Sequence, residues 1–277
     1  VAGIVELAPA SPLTGSNLHQ FLEPQKYSPR HKFGSPYMKQ FLKRLIRFSP
    51  VALTKNQHYD RLTQKIIRKV CRPASNCVDV GCHKGEILDL MRAAAPDGRH
   101  WGFEPIPDMY QALRDKYSNT NCSISDLALS NAAGTTTFNY VTSNPSYSGL
   151  MKREYDRPHE EDTSITVQTA RLDDVLPADY RVDLMKIDVE GGEMLVLGGA
   201  RETLRKHHPV VIFEHGKGAS DIYGFGPKDV HAYFSGLGYG IYLLEHYLGG
   251  KAPMTLAELQ RQYDTQRNFY FVASWNR

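Results

Sequence analysis

Cys77-Val78-Asp79-Val80-Gly81-Cys82-His83-Lys84-Gly85-Glu86 is the stretch on which the fold turns. Its first four residues form a short strand, apolar except for Asp79, and Gly81 and Gly85 bracket a tight turn into a helix predicted over 85–95. Glycine lets backbone approach a ligand closely, and the start of the following helix offers free N–H groups to an anion. The turn is not a dinucleotide cradle, because His83 stands where the middle glycine of G-x-G-x-x-G belongs. Nor is it a P-loop, because Lys84 is followed by Gly85 and Glu86 rather than by Ser or Thr. A smaller anion, such as an amino-acid carboxylate, fits better, with Asp79 placed to meet the ammonium of the same amino acid. A plain tight turn is the alternative.

Outward from this turn, strands and helices alternate. Strands are predicted over 77–80, 99–103, 121–125, 182–187, 210–213, 239–244 and 269–273. Helices are predicted over 56–70, 85–95, 107–117, 193–206, 228–235 and 256–262, with an added Thr- and Val-rich β pair at 135–141 and 165–169. This pattern predicts an α/β, Rossmann-like, mostly parallel sheet with helices on both faces. In such sheets the ligand sits beyond the carboxyl ends of the strands, at the switch point.

The strand ends carry the chemistry. Glu104, in Phe103-Glu104-Pro105, closes the second strand, where an acid accepts hydrogen bonds from ribose hydroxyls. Asp126, in Ser125-Asp126-Leu127-Ala128, can accept from an adenine amino group, or simply cap a turn. Lys186-Ile187-Asp188-Val189-Glu190-Gly191-Gly192-Glu193 sets three carboxylates at the mouth of the sheet. The helix dipole accounts for Glu193 but not for Asp188 at the strand end. Gly198 and Gly199 weaken the helix that follows and point to close packing or a break there. Glu214 and His215, after the apolar run Val210-Val211-Ile212-Phe213, are candidates for acid–base work.

Composition is that of an ordinary soluble globular protein. Of 277 residues, 33 are Lys or Arg and 30 Asp or Glu, a net charge of +3, so nucleic acid is not the expected partner. Apolar residues make up 41%, and no run approaches the length of a membrane span. Cys71, Cys77, Cys82 and Cys122 lack C-x-x-C spacing and read as reduced thiols, which leads to the expectation of a cytoplasmic protein.

Residues 1–37 are rich in Pro, Ser and Gly and read as an extended leader, and 38–70 as N-terminal helices before a main domain over 71–277. Met38, Phe41, Leu42, Leu45 and Ile46 share one helical face, opposite Lys39, Lys43, Arg44 and Arg47. Packing on the main domain is preferred there to peripheral membrane contact through 38–48. The insertion at 142–163 holds Ser146, Tyr147, Ser148, Lys152, Arg153, Arg157 and His159. It reads either as a lid over the acceptor or as a solvated loop.

With these segments in hand, the chain resembles the FkbM family of S-adenosylmethionine-dependent methyltransferases. The matching stretches are Val78-Asp79-Val80-Gly81, Gly102-Phe103-Glu104-Pro105, Asp126-Leu127-Ala128-Leu129-Ser130, Leu172-Asp173-Asp174-Val175, the run from Lys186 to Gly191 with its helix, and Phe213-Glu214-His215. Family members often carry Ala-Asn where this chain has Cys82-His83. The leader, the insertion and 248–266 lie outside the match.

The resemblance implies a class I methyltransferase fold, a seven-stranded sheet whose last strand runs antiparallel. It also implies S-adenosylmethionine as donor and a hydroxylated small molecule, such as a sugar, glycolipid or polyketide, as acceptor. The expected donor site is Asp79, Gly81, Cys82, Gly85, Glu104, Pro105, Asp126, Leu127 and Asp188. His215 is the first candidate for the base, with Glu214 and Asp188 behind it. Asp188, Glu190, Glu214 and His215 could instead gather Mg²⁺, although no spacing demands it. Two other readings stay open: an NAD-linked oxidoreductase on a similar sheet, and a scaffold that has lost its chemistry.

Overall fold

In a computed structural model, residues 54–155 and 159–276 are described. The leader and the helix expected over 38–46 lie outside them. A helix over Lys55–Val70 comes first, started by the Thr54 hydroxyl, which accepts from the Gln57 N–H, and burying Tyr59, Leu62, Ile66 and Ile67.

The strands β1 (Cys77–Val80), β2 (His100–Phe103), β3 (Cys122–Ser125), β7 (Leu184–Ile187), β8 (Val210–Glu214), β9 (Tyr239–Leu243) and β10 (Tyr270–Trp275) form one seven-stranded sheet. Its order is β3-β2-β1-β7-β8-β10-β9. The pairs β1–β2, β2–β3, β1–β7 and β7–β8 are parallel, and β10 runs antiparallel between β8 and β9. Chain order reverses between β1 and β7, which makes the crevice beyond their carboxyl ends the natural ligand position.

Both faces of the central strands are buried, as in parallel sheets covered by helices. Val78, Val80, Met185, Ile187, Val211, Phe213, Phe271 and Ala273 feed one core, while Cys77, Leu184, Ile212 and Val272 join the helix Lys55–Val70 in the other. Strand alternation therefore assigns each strand residue to a face.

A second, smaller sheet has the order β4-β6-β5, from β4 (Ala128–Leu129), β5 (Gly134–Val141) and β6 (Asp162–Ala170). β5 and β6 form an antiparallel hairpin paired from Gly134↔Thr169 to Val141↔Asp162, so the insertion is its tip.

The helix expected over 193–206 is two helices, Glu193–Gly199 and Arg201–His207. A Cβ on Gly199 would overlap the Ser130 carbonyl, so only glycine permits this approach to the end of β4. The second helix starts on a partner distant in sequence. The Asp173 carboxylate accepts from the N–H groups of Glu202 (3.0 Å) and Thr203 (2.9 Å).

Candidate active site

The turn after β1 is held against its neighbours by backbone contacts. The N–H groups of Gly81 and Cys82 both donate to the Phe103 carbonyl, at 3.0 and 3.1 Å, and the Asp188 N–H donates to the Val80 carbonyl at 3.0 Å. Gly81 has φ 75°, and a Cβ there would overlap the Asp188 carbonyl oxygen. Two requirements thus demand glycine, left-handed backbone and close approach of β7. His83 also sits in the left-handed region, at φ 48°. Its N–H donates to Glu104 Oε2 at 2.9 Å, while Glu104 Oε1 accepts from the Ile106 N–H at 3.1 Å across Pro105. Burial pushes Glu104 up to about 7, against these two hydrogen bonds.

Cys82 is buried beside Gly102, and Gly85 is buried with φ 75° under Tyr117, whose hydroxyl donates to the Gly85 carbonyl at 2.8 Å. The Glu104 N–H donates to the Ser125 carbonyl at 2.9 Å, bringing the end of β3 alongside. Asp126 beyond it is exposed and Leu127 half-buried. The residues expected to hold a donor therefore line three adjacent strand ends.

Sheet register gathers a second group on one face. Asp79 pairs with Lys186, Lys186 with Ile212, and Glu214 with Tyr270, so all of these side chains alternate to the side of Cys77, Leu184 and Val272. Asp188, two residues past Lys186, joins them. Its Oδ2 accepts from Lys186 Nζ at 2.8 Å and from the Tyr270 hydroxyl at 2.6 Å. Burial would raise Asp188, but the Lys186 ammonium and the hydrogen bonds from Lys186, Tyr270 and Glu214 outweigh it and hold the carboxylate ionised.

Glu214 is driven well above the carboxylate range by burial and by the charges of Asp188, Glu190 and Glu193, so it carries the proton it shares with Asp188. Asp79 is 1% exposed, and among the described residues neither of its carboxylate oxygens has a hydrogen-bond partner of good geometry, the Leu88 N–H acting on it only weakly. Burial raises it to about 6, although Lys186 pulls the other way. An acid so placed is one for which a ligand is missing.

Glu190 and Glu193 complete the mouth. Glu193 Oε1 ties down the turn by accepting from the N–H groups of Val189 (3.0 Å) and Gly191 (3.2 Å). Burial lifts Glu193 to about 7. Glu190, at φ 56°, is raised to about 8 by burial and by Asp188, and is ion-paired with Arg153 of the insertion. Asp188, Glu190 and Glu214 each offer an oxygen within 4.8 Å of the others. Lys186, Tyr270, Arg153 and the shared proton already engage these oxygens, and the expectation of Mg²⁺ gains no support from them.

His215 is set apart from this group. One residue past Glu214, it alternates to the other face and stacks on Tyr263, with ring centroids 5.2 Å apart. Burial holds it down to about 4, and the charges that act on it are Asp229 and Asp221. The structure thus brings Asp188 and Glu214 together and leaves His215 outside.

The described part of the insertion touches the mouth at three points. Ser146 Oγ lies 3.4 Å from His83 Nε2, the Met151 N–H donates to the Tyr223 hydroxyl at 3.0 Å, and Arg153 pairs with Glu190. Tyr270 and Tyr223 reach the mouth through contacts with residues distant in sequence, and no local motif announced them.

An open, doubly wound sheet with an antiparallel strand inserted next to its edge, and a glycine turn facing two acidic strand ends, is the fold of the class I methyltransferases. The chain belongs to the methyltransferase FkbM domain family, whose model matches residues 79–241, more than half of its length. The methyltransferase sdnD of Sordaria araneosa is 30% identical over 157 residues, which cover 45% of this chain and 60% of that protein. Solved structures with similar chains include a methyltransferase FkbM from Methylobacillus flagellatus KT, with 17% identity, TM-score 0.46, and coverage of 76% of this chain and 50% of that one. Another is the precorrin-6y C5,15-methyltransferase of Geobacter metallireducens GS-15, with 15% identity, TM-score 0.41, and coverage of 81% and 91%.

Proposed function

We propose that this chain transfers a methyl group from S-adenosylmethionine to a hydroxyl of a small molecule, of the sugar, glycolipid or polyketide type. The observation that carries the reading is the buried, unpartnered carboxylate of Asp79 behind a turn that faces Glu104 and Asp188. These residues fit the donor. Asp79 would meet its ammonium, the 81–85 turn its carboxylate, Glu104 its ribose hydroxyls, and Asp126 with Leu127 its adenine. When bound, the donor supplies a methyl group on a positively charged, already electrophilic sulfur.

The chain then has to align the acceptor, exclude water and take a proton. Alignment lowers such barriers by about 7–11 kcal/mol in favourable cases. Asp188, held ionised by Lys186 and Tyr270, keeps negative charge at the mouth. Glu214 is held protonated well above the carboxylate range and His215 faces elsewhere, so Glu190, raised to about 8, is the group whose ionised form would accept the proton as pH rises towards that value. The insertion, pinned at His83, Tyr223 and Glu190, covers the acceptor side.

The test is incubation with S-adenosylmethionine labelled in its methyl group and extracts of the source organism, followed by mass spectrometry of labelled products. A methyl ether in a small molecule is expected, formed at a rate that rises with pH towards about 8 in the wild type and without that rise in Glu190→Gln. Label appearing only in RNA or protein would contradict the reading.

A further inference from the structure

The insertion carries several cations, and the structure separates them. Lys152 is exposed and turned away onto Asp162, at 2.6 Å. Arg153, its neighbour, reaches the mouth: its side chain is 16% exposed and its Nη2 pairs with Glu190 Oε2. The guanidinium lies over the Tyr147 ring, its Cζ 4.7 Å from the ring centroid, and Tyr147 stacks on Tyr155, with centroids 5.9 Å apart and planes 5° from parallel. Tyr155 is in turn anchored on the β5–β6 hairpin, accepting from Asn139 Nδ2 at 2.6 Å and donating to Asp162 Oδ2 at 2.9 Å. The cation is therefore presented on an aromatic bracket anchored to the hairpin.

One edge of that guanidinium is unsatisfied. Arg153 Nε is buried and has no acceptor among the described residues. A buried donor on a cation without a partner carries an uncompensated desolvation cost that an acceptor oxygen would relieve. Its charged partner among the described residues, Glu190, is itself buried, crowded by Asp188 and Glu193, and pushed up to about 8, so it is a poor counter-ion at neutral pH. Lys186, the other cation of the site, is committed to Asp188.

We propose that Arg153 is the acceptor-recognition residue of this site, taking an anionic oxygen group, a carboxylate or a phosphate, through the free edge of its guanidinium. The planar fork of arginine suits these two groups, which share two acceptor oxygens in one plane. The acceptor is then a hydroxylated acid rather than a neutral glycoside. Its anion competes with Glu190 for Arg153. This inference rests on the reading of the 79–104–188 pocket as the donor site.

The test needs no identified acceptor. The full chain, alone and saturated with S-adenosylhomocysteine, is titrated with inorganic phosphate and with glycolate, and with glycerol as a neutral hydroxyl control, following amide shifts by NMR. Saturable binding of phosphate or glycolate is expected in wild type, about tenfold or more weaker in Arg153→Ala and intermediate in Arg153→Lys. Above pH 8, where Glu190 is ionised and competes for Arg153, binding in Glu190→Gln is expected to be about twofold tighter than in wild type, and this gain is expected to be lost in the double variant Glu190→Gln with Arg153→Ala. Glycerol shifts are expected to be the same in all variants.

A thermal melt of each variant separates loss of fold from loss of binding. Equal anion affinity in wild type and folded Arg153→Ala, or no anion binding to wild type, would overturn the proposal. Failure of S-adenosylhomocysteine to bind would instead overturn the donor reading, and the titration of the ligand-free chain would still decide on Arg153. Binding of phosphate but not glycolate, or the reverse, identifies which anion the site takes.

Discussion

Asp79 and Glu104 show how a site is built from groups that are uncomfortable without a ligand. Both are buried acids raised towards neutrality, to about 6 and about 7, and neither meets a cation closely enough to be neutralised. A donor ammonium and ribose hydroxyls favour the ionised carboxylates, so donor binding and protonation compete. Affinity for S-adenosylhomocysteine is expected to rise as pH rises through 6 to 7 and to fall below it. In Asp79→Asn, calorimetry should show weaker binding with a smaller dependence on pH; an unchanged pH profile would remove Asp79 from the site. His83 and Glu190, two non-glycine residues in left-handed backbone, stand at the same mouth. Such conformations cost about 1–3 kcal/mol and cluster at functional sites.

At the level of elements, the approach of the helix Glu193–Gly199 to the end of β4 depends on the missing side chain of Gly199. Gly199→Ala should lower stability by about 2 kcal/mol or more in denaturant melts, because the overlapping atom is backbone and cannot turn aside. A loss of under half that would mean the helix shifts freely. Most of this architecture was legible in the sequence: β1 and the helix Pro107–Tyr117 match their expected bounds, and the other sheet strands differ by a residue or two. Apolar runs and glycine turns are local signals, and they were enough.

The break at Ala200 was only hinted at by Gly198 and Gly199, because the cap that starts the next helix comes from Asp173. The helix Leu244–Leu248 went unread within a predicted strand and the residues after it. The acids of the site were legible as strand ends. Their partners were not, since Tyr270 on Asp188 and Arg153 on Glu190 are long-range pairings set by register and by the hairpin tip. That His215 turns away from Glu214 follows from alternation of neighbouring residues at the end of β8, a signal that the sequence held.

For the whole molecule, the acids of the mouth tie stability to pH in the direction opposite to ligand binding. Glu104 and Glu193 near 7 and Glu190 near 8 all lie above their values in an unfolded chain, so between those values the folded state binds more protons. Stability of the ligand-free chain then falls as pH rises. His83, His100, His207 and His215 all lie below their unfolded value of 6.5 and act with the opposite sign, but only below that pH. The melting temperature of the ligand-free chain is therefore expected to fall from about pH 6.5 to 8; a flat or rising profile would mean the acids are solvated rather than enclosed.

The most direct measurement is calorimetric titration of the purified chain with S-adenosylhomocysteine at pH 7.5, in wild type and in Glu104→Ala. A single saturable site is expected, weakened about 10–100-fold by the substitution, as for the loss of charged hydrogen bonds. No heat with wild type, or the same affinity in both proteins, would contradict the convergence of these strand ends on a donor pocket.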